Sequence, residues 1–110
     1  MRILGMNDSN TIVQVYVTYE GLSTDRFDRD HYVNHHLPLV RDSWTKYGLV
    51  SARAFFPADD ANGTIAVCEC LFRDEAAVEA AFSSSETTAV MADVPLVTEL
   101  APKRTRAFPL

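Results

Sequence analysis

Residues 48–72 read GLVSARAFFPADDANGTIAVCECLF, the part of the chain from which the fold class is most directly predicted. Two runs rich in β-branched, aromatic and small apolar residues flank PADDANG, residues 57–63. That central segment gathers the proline, aspartates, asparagine and glycine that are typical of turns. The pattern therefore predicts an antiparallel hairpin with strands over 48–56 and 64–72.

The hairpin also carries one carboxylate among apolar residues. A turn centred on Asp60 would place Ser51 opposite Glu69 and Arg53 diagonal to it. A carboxylate in such surroundings needs a partner, and Arg53 is the obvious one. The pair could orient a polar ligand or fix a dimer, and a slip of one residue would move both side chains to the other face. Arg53 and Glu69 are candidate substrate-binding residues.

Upstream of the hairpin, the pattern predicts one strand and one long helix. Residues 11–20, TIVQVYVTYE, alternate between apolar and polar side chains, which indicates a strand. A helix should follow, with Asp25 or Asp28 as its N-cap. We expect it to run to about Tyr47, where Gly48 can adopt the left-handed conformation that ends helices.

Downstream of the hairpin, the chain repeats the pattern of helix and strand. Residues 74–82, DEAAVEAAF, predict a helix, and a shorter helix over 86–93 should end before Pro95. The tail, residues 98–110, contains Pro102 and suits an edge strand. The order β-α-β-β-α-β predicts an α+β fold of the ferredoxin-like class with an antiparallel sheet.

The length of 110 residues suits one domain, which we assign to residues 11–110, with residues 1–10 as a flexible segment.

Two helices can cover only one face of a four-stranded sheet. More apolar strand residues are present than one face needs, and each large one left in water would forfeit about 1.5–3 kcal/mol. The sequence thus predicts a homodimer whose sheets pack face to face. The side chains assigned to the second face are Val13, Val15, Val17, Tyr19, Phe55, Ile65, Val67 and Leu71.

The net charge of −5 argues against nucleic acid or an anionic membrane as a partner, because neither binds without clustered Lys and Arg. The chain has no run of about 20 apolar residues and no signal-peptide pattern, so we expect a cytoplasmic protein. Cys68 and Cys70 lack the spacing of a zinc site and are expected to be packing residues.

All three histidines fall within FDRDHYVNHHLPLV, residues 27–40. A continuous helix would place Asp28, Tyr32 and His36 on one stripe. A phenol and an imidazole one turn apart can bind the same ligand oxygen, and an imidazole that titrates near pH 6.5 can accept and return a proton. These three side chains are the candidate catalytic residues.

His31 and His35 share a neighbouring stripe and have the spacing of two metal ligands. No glutamate lies between them and no third ligand is evident, so an exposed or capping pair is favoured. No metal and no other cofactor is predicted.

Pro38 cannot donate to the carbonyl of Asn34, so the helix kinks or that carbonyl finds another partner. The resulting opening could be a pocket or only a bend.

These residues, together with Trp44, YGL at 47–49 and MADVP at 91–95, resemble the signature of the EthD family. This family comprises small bacterial proteins named after a component linked to ethyl tert-butyl ether degradation. The family usually has a second tyrosine where this chain has His31. The signature residues matched here are Phe27, Asp28, Tyr32, His36, Pro38 and Leu39.

The resemblance implies a dimeric α+β barrel with His36 as the motif histidine beside Tyr32 and Asp28. It favours a cofactor-independent enzyme of catabolism or secondary metabolism that acts on a small, ring-containing molecule, by isomerase, dehydratase, cyclase or oxidoreductase-type chemistry. No glycine-rich dinucleotide loop or flavin motif supports the reductase label that such proteins often carry. The alternative is a non-catalytic dimer that binds a small ligand or assists a degradation pathway. Further candidate substrate-binding residues are Phe27, His35, Pro38, Leu39 and Trp44.

Overall fold

The chain forms a four-stranded antiparallel sheet with the order β2-β3-β1-β4, according to a computed structural model that describes residues 11–108. This arrangement confirms the predicted α+β, ferredoxin-like fold and places β4 at an edge. The predicted flexible segment, 1–10, lies outside the described residues. The strands are β1 (Val13–Gly21), β2 (Leu49–Phe55), β3 (Gly63–Phe72) and β4 (Lys103–Ala107).

The helical layer between β1 and β2 is a series of joined segments, whereas the sequence predicted one long helix that Pro38 either kinks or leaves with a rebonded carbonyl. Asp28 is the N-cap, and its carboxylate accepts a hydrogen bond from the backbone amide of His31 at 2.9 Å. Gly48 ends the series with a φ of 116°, as predicted from its freedom to adopt positive φ. The segments are α1 (Arg29–His31), a π-helical turn (Tyr32–His36), α2 (Leu37–Trp44) and a 3₁₀ turn (Thr45–Tyr47).

Two helices, α3 (Glu75–Phe82) and α4 (Glu86–Val97), connect β3 to β4. The prediction that the second of them ends before Pro95 is wrong, because α4 continues through the proline. The amide of Thr98 donates to the carbonyl of Val94 at 3.0 Å, so the last turn closes despite the donor that Pro95 lacks. No helix within 11–108 combines the length and apolar character needed to cross a bilayer.

The alternating residues of β1 face the helices, which corrects the assignment of that strand to a second apolar face. Val15 pairs with Cys70 and Tyr19 with Ala66, so all four side chains share the covered face. Val15 and Tyr19 are each 1% exposed. The open face of the sheet is therefore less apolar than the sequence suggested, although Ile65, Val67 and Leu71 remain on it.

The open face also carries the predicted charge pair. Arg53 lies directly opposite Glu69, not diagonal to it. The pairing of β2 with β3 is centred on Ala61, one residue beyond the predicted Asp60. The Arg53 guanidinium donates to Glu69 at 2.8 Å, and the Tyr16 hydroxyl donates to the other carboxylate oxygen at 2.8 Å. Both hydrogen bonds lower the pKa of Glu69, and the bond from Arg53 has the larger effect.

Candidate active site

A cavity of about 120 Å³ lies between the helical layer and the covered face of the sheet. Most of its wall is apolar. Its polar groups include a phenol, an imidazole and, on the edge strand, a guanidinium. The lining residues are Val17, Tyr19, Tyr32, His36, Val40, Trp44, Cys68, Cys70, Thr87, Val90, Met91, Val94, Pro102 and Arg104.

The π-helical turn brings His36 and Tyr32 to this cavity. Its closing bond runs from the Leu37 amide to the Tyr32 carbonyl, five residues back, directly before Pro38. The helix thus accommodates Pro38 by widening the turn that precedes it. Such π-helical turns often occur at functional sites. The Tyr32 and His36 rings stack with centroids 4.8 Å apart and an angle of 22° between their planes.

All three imidazoles converge on one carboxylate, that of Asp93 on α4. His36 Nδ1 lies 2.9 Å from Asp93 Oδ2, and His31 Nε2 lies 3.1 Å from Oδ1. His35 Nδ1 lies 3.4 Å from the same Oδ1. The two histidine stripes that the sequence predicted as separate features therefore form one cluster around Asp93.

Burial sets the protonation states of this cluster. Desolvation lowers the pKa of His36 below the ordinary 6.5, and the hydrogen bond to Asp93 opposes this effect without cancelling it. At Asp93, desolvation alone would raise the pKa, but the hydrogen bonds from His31 and His36 outweigh it and lower the pKa. Near neutral pH, a neutral His36 thus faces an ionised Asp93.

An ionised carboxylate can only accept hydrogen bonds, so the nitrogen of His36 that faces Asp93 must carry the hydrogen. In the neutral ring this leaves Nε2 with a free lone pair. His36 is only 3% exposed and lines the cavity, and within residues 11–108 no hydrogen bond to Nε2 is found. The arrangement can accept a proton from a molecule in the cavity.

Tyr32 can donate a hydrogen bond in the same place. Its hydroxyl stays protonated because burial, reinforced by the neighbouring Cys68 and Tyr19, raises its pKa. Burial likewise raises the pKa of Tyr19 to about 12. Cys68 and Cys70 are free and buried, as expected of packing residues, with sulfur atoms 3.8 Å apart.

The other predicted residues of the helical layer take different positions. Trp44 lines the cavity, and its indole nitrogen donates to the Thr87 hydroxyl at 3.1 Å. Phe27 packs against the Tyr32 ring with centroids 5.2 Å apart but does not line the cavity. Pro38 and Leu39 are half-buried and also lie outside the cavity wall. Their binding roles stay predictions.

Asp28, Arg53 and Glu69 do not join the cluster. Asp28 is exposed and caps α1. Arg53 and Glu69 lie on the open face of the sheet, the opposite side from the cavity. A ligand beside His36 therefore cannot contact that pair within one chain.

Sequence reasoning missed Asp93, Thr87 and Arg104. The sequence does contain one indication that Asp93 is a site residue. It is the lone charge in the apolar stretch AVMADVPLV, and buried charges are rare unless paired. Arg104 gave no such signal. Its guanidinium lies 4.3 Å from the centre of the Phe82 ring, and it forms no ion pair with any acidic group of the described residues.

A family model described as the EthD domain matches residues 20–101, which is most of the chain. No match is found among curated protein sequences. Solved structures share the fold at low sequence identity. An EthD-like protein from Ralstonia eutropha is 20% identical, with a TM-score of 0.75 over 87% of this chain and 89% of that one.

Two further structures extend the comparison. An ethyl tert-butyl ether degradation family protein from Bacillus halodurans is 20% identical, with a TM-score of 0.65 over 89% of this chain and 100% of that one. A protein from Bacteroides thetaiotaomicron, which bears the name of the antibiotic biosynthesis monooxygenases, is 9% identical. Its TM-score is 0.54 over 93% of this chain and 92% of that one. At these identities the likeness concerns the fold.

Proposed function

This chain belongs to the EthD family, and we propose that it is a cofactor-independent enzyme in which His36 transfers a proton on a small, ring-containing organic molecule. The observation that carries the proposal is the His36 ring itself. One nitrogen is held by a buried carboxylate at 2.9 Å, and the other lies beside an apolar cavity with no hydrogen-bond partner among residues 11–108. A base oriented by a third group is the usual arrangement in acid-base catalysis.

The cavity supports a substrate built around one small ring. An engineered cavity of about 150 Å³ binds benzene, and the volume here, about 120 Å³, is of similar size. The apolar wall excludes water, which strengthens the hydrogen bond that Tyr32 can donate to an oxygen where negative charge develops. Arg104 adds a positive charge at the wall that could attract an anionic substituent.

Removal of a proton from an acidic C–H or hydroxyl group is the step that this site supports. Isomerisation, dehydration and cyclisation can each begin in this way. Oxidoreductase-type chemistry would in addition need a co-substrate, such as molecular oxygen, to accept electrons from the deprotonated ring. In every case the proton moves to His36 Nε2 and leaves to product or water. Asp93 stays ionised and stabilises the imidazolium that forms. We place such a reaction in catabolism or secondary metabolism.

A chromogenic probe can test this proposal before the substrate is known. Nitrobenzisoxazole loses one ring proton to a base, its N–O bond breaks, and a coloured cyanophenolate forms. With EDTA present, the native protein should open the ring faster than free imidazole at equal concentration. Because burial lowers the pKa of His36, the rate should rise with pH around a midpoint below 6.5 and then level off.

Absorbance of the phenolate across a pH series measures this profile. A midpoint at or above 6.5 would contradict the lowered pKa expected of His36, and no acceleration at any pH would contradict the proposal. Binding of the probe without acceleration would instead favour the non-catalytic, ligand-binding alternative.

We also propose that the protein is a homodimer that pairs through the open face of the sheet. Val67 and Leu71 lie there, partly exposed, beside the pair of Arg53 and Glu69. Val67→Asp should shift the sedimentation coefficient from that of two chains to that of one, since it puts a charge into the interface. The exposed Val33 on the π-helical turn offers the matched control, because Val33→Asp should leave the dimer intact. A native protein that sediments as one chain at micromolar concentration would contradict this proposal.

The cytoplasm is the compartment that we propose. Cys68 and Cys70 are free thiols although their sulfur atoms are only 3.8 Å apart, which suits a reducing environment. Fractionation of cells tests this location, and recovery of the protein outside the cytoplasmic fraction would contradict it.

A further inference from the structure

Two imidazoles and a carboxylate meet on the outer side of the His36 cluster. His31 Nε2 and His35 Nδ1 lie 3.1 Å and 3.4 Å from the same atom, Asp93 Oδ1. All three potential ligand atoms fall within 4.8 Å of one another. Asp93 is thus the third ligand that the spacing of His31 and His35 lacked in the sequence.

The spacing fits one small metal ion. Zinc binds nitrogen and oxygen ligands at about 2.0–2.2 Å, which sets neighbouring ligand atoms of a tetrahedron about 3.4 Å apart. Both measured separations from Oδ1 agree with that value. The His35 side chain is 63% exposed and can turn to bring its nitrogen closer to that of His31.

The charge of Asp93 favours a cation at the same point. Its side chain is 5% exposed, and within residues 11–108 its ion-pair partners are only the three histidines. Imidazoles that bind a metal are neutral, so a buried negative charge is left for the ion to balance. Two imidazoles and one carboxylate, with the remaining positions open, form a known set of ligands for divalent transition metals.

We propose that a divalent transition-metal ion of the zinc type binds at His31, His35 and Asp93, with its open positions toward solvent. The site joins α1 and the π-helical turn to α4. Because Oδ2 of Asp93 keeps its hydrogen bond to His36, the proton transfer proposed above does not pass through the metal. This inference therefore goes beyond the proposed function and can fail or succeed independently of it.

Titration of zinc into the EDTA-treated, dialysed and tag-free protein tests the site, with a chromophoric chelator as competitor. The native chain should bind one zinc ion. His35→Ala and His31→Asn should each weaken binding at least about tenfold, since even outer-shell partners of metals contribute about 10–100-fold. Asp30→Asn, an exposed carboxylate in the same helical segment, is the matched control and should bind like the native chain.

Cobalt distinguishes this site from the two thiols of the cavity. The cobalt form should show d–d absorption but no thiolate charge-transfer band. That band would assign the metal to Cys68 and Cys70 and overturn the proposal. Equal zinc affinity in native and His35→Ala protein, or no binding at millimolar zinc, would overturn it as well.

Discussion

His36→Asn should slow the ring opening of nitrobenzisoxazole by about a hundredfold to ten-thousandfold, the usual contribution of general acid-base catalysis. Asparagine lacks the free nitrogen that faces the cavity. Its amide N–H, however, lies near the position of His36 Nδ1, so the hydrogen bond to Asp93 can persist. The variant thus removes the base and retains the contact that the fold needs. Initial rates with EDTA present, at a pH above the native midpoint, measure the loss.

His36→Ala separates the catalytic effect from the structural one. Alanine leaves one oxygen of the buried Asp93 without its imidazole, so the free energy of unfolding should fall by about 1–3 kcal/mol. His36→Asn should lose less stability but as much activity. Urea unfolding, followed by the fluorescence of Trp44, gives the stabilities. Native-like rates in a folded His36→Asn protein would show that His36 is not the base.

Asp93→Asn should lower the same rate by as much as about ten-thousandfold, the effect of the equivalent change in serine proteases, where the histidine adopts the wrong tautomer. If the new amide presents its NH₂ group to His36, the ring must turn its lone pair toward Asn and its hydrogen toward the cavity. It then cannot accept a proton there. Nitrogen chemical shifts of the His36 ring report this change directly, alongside the rate.

The same substitution should also destabilise the fold. The buried imidazole of His36 donates to Asp93, and a buried donor that loses its acceptor costs about 1–3 kcal/mol. The more exposed His31 and His35 should contribute less. Asp42→Asn, at an exposed carboxylate of α2, is the matched control and should change neither rate nor stability. If Asp93→Asn lost stability but kept the native tautomer and pH profile, Asp93 would be a structural residue only.

The strands and the two ends of the first helical layer followed from local chemistry, whereas the end of α4 did not. The alternation in residues 11–20 and the turn composition of 57–63 act over a few residues, so the hairpin and the fold class could be predicted. Gly48 behaved as predicted for the same reason, because its positive φ is a local property. The spacing of Tyr32 and His36, one helical turn apart, likewise indicated that the two side chains share one face.

The predictions that failed depend on contacts between distant parts of the chain. The direct pairing of Arg53 with Glu69 depends on a hairpin centre one residue beyond Asp60, and the composition of the turn does not locate that centre to a single residue. Which side chains of β1 are buried depends on which side of the sheet the helices cover. The π-helical turn before Pro38 was one of several local solutions for a missing donor, and packing against α4 selects among them.

The order of strands and helices, the ferredoxin-like class and the spacing of a histidine and a tyrosine by one turn could all be predicted from the amino-acid sequence. Those features arise from interactions between residues that are near neighbours along the chain. The contact of three histidines with Asp93, which lies 57 residues beyond His36, could not be predicted in this way because it forms between distant segments. Burial by distant segments sets the protonation of such a group, and that burial exists only once the chain has folded.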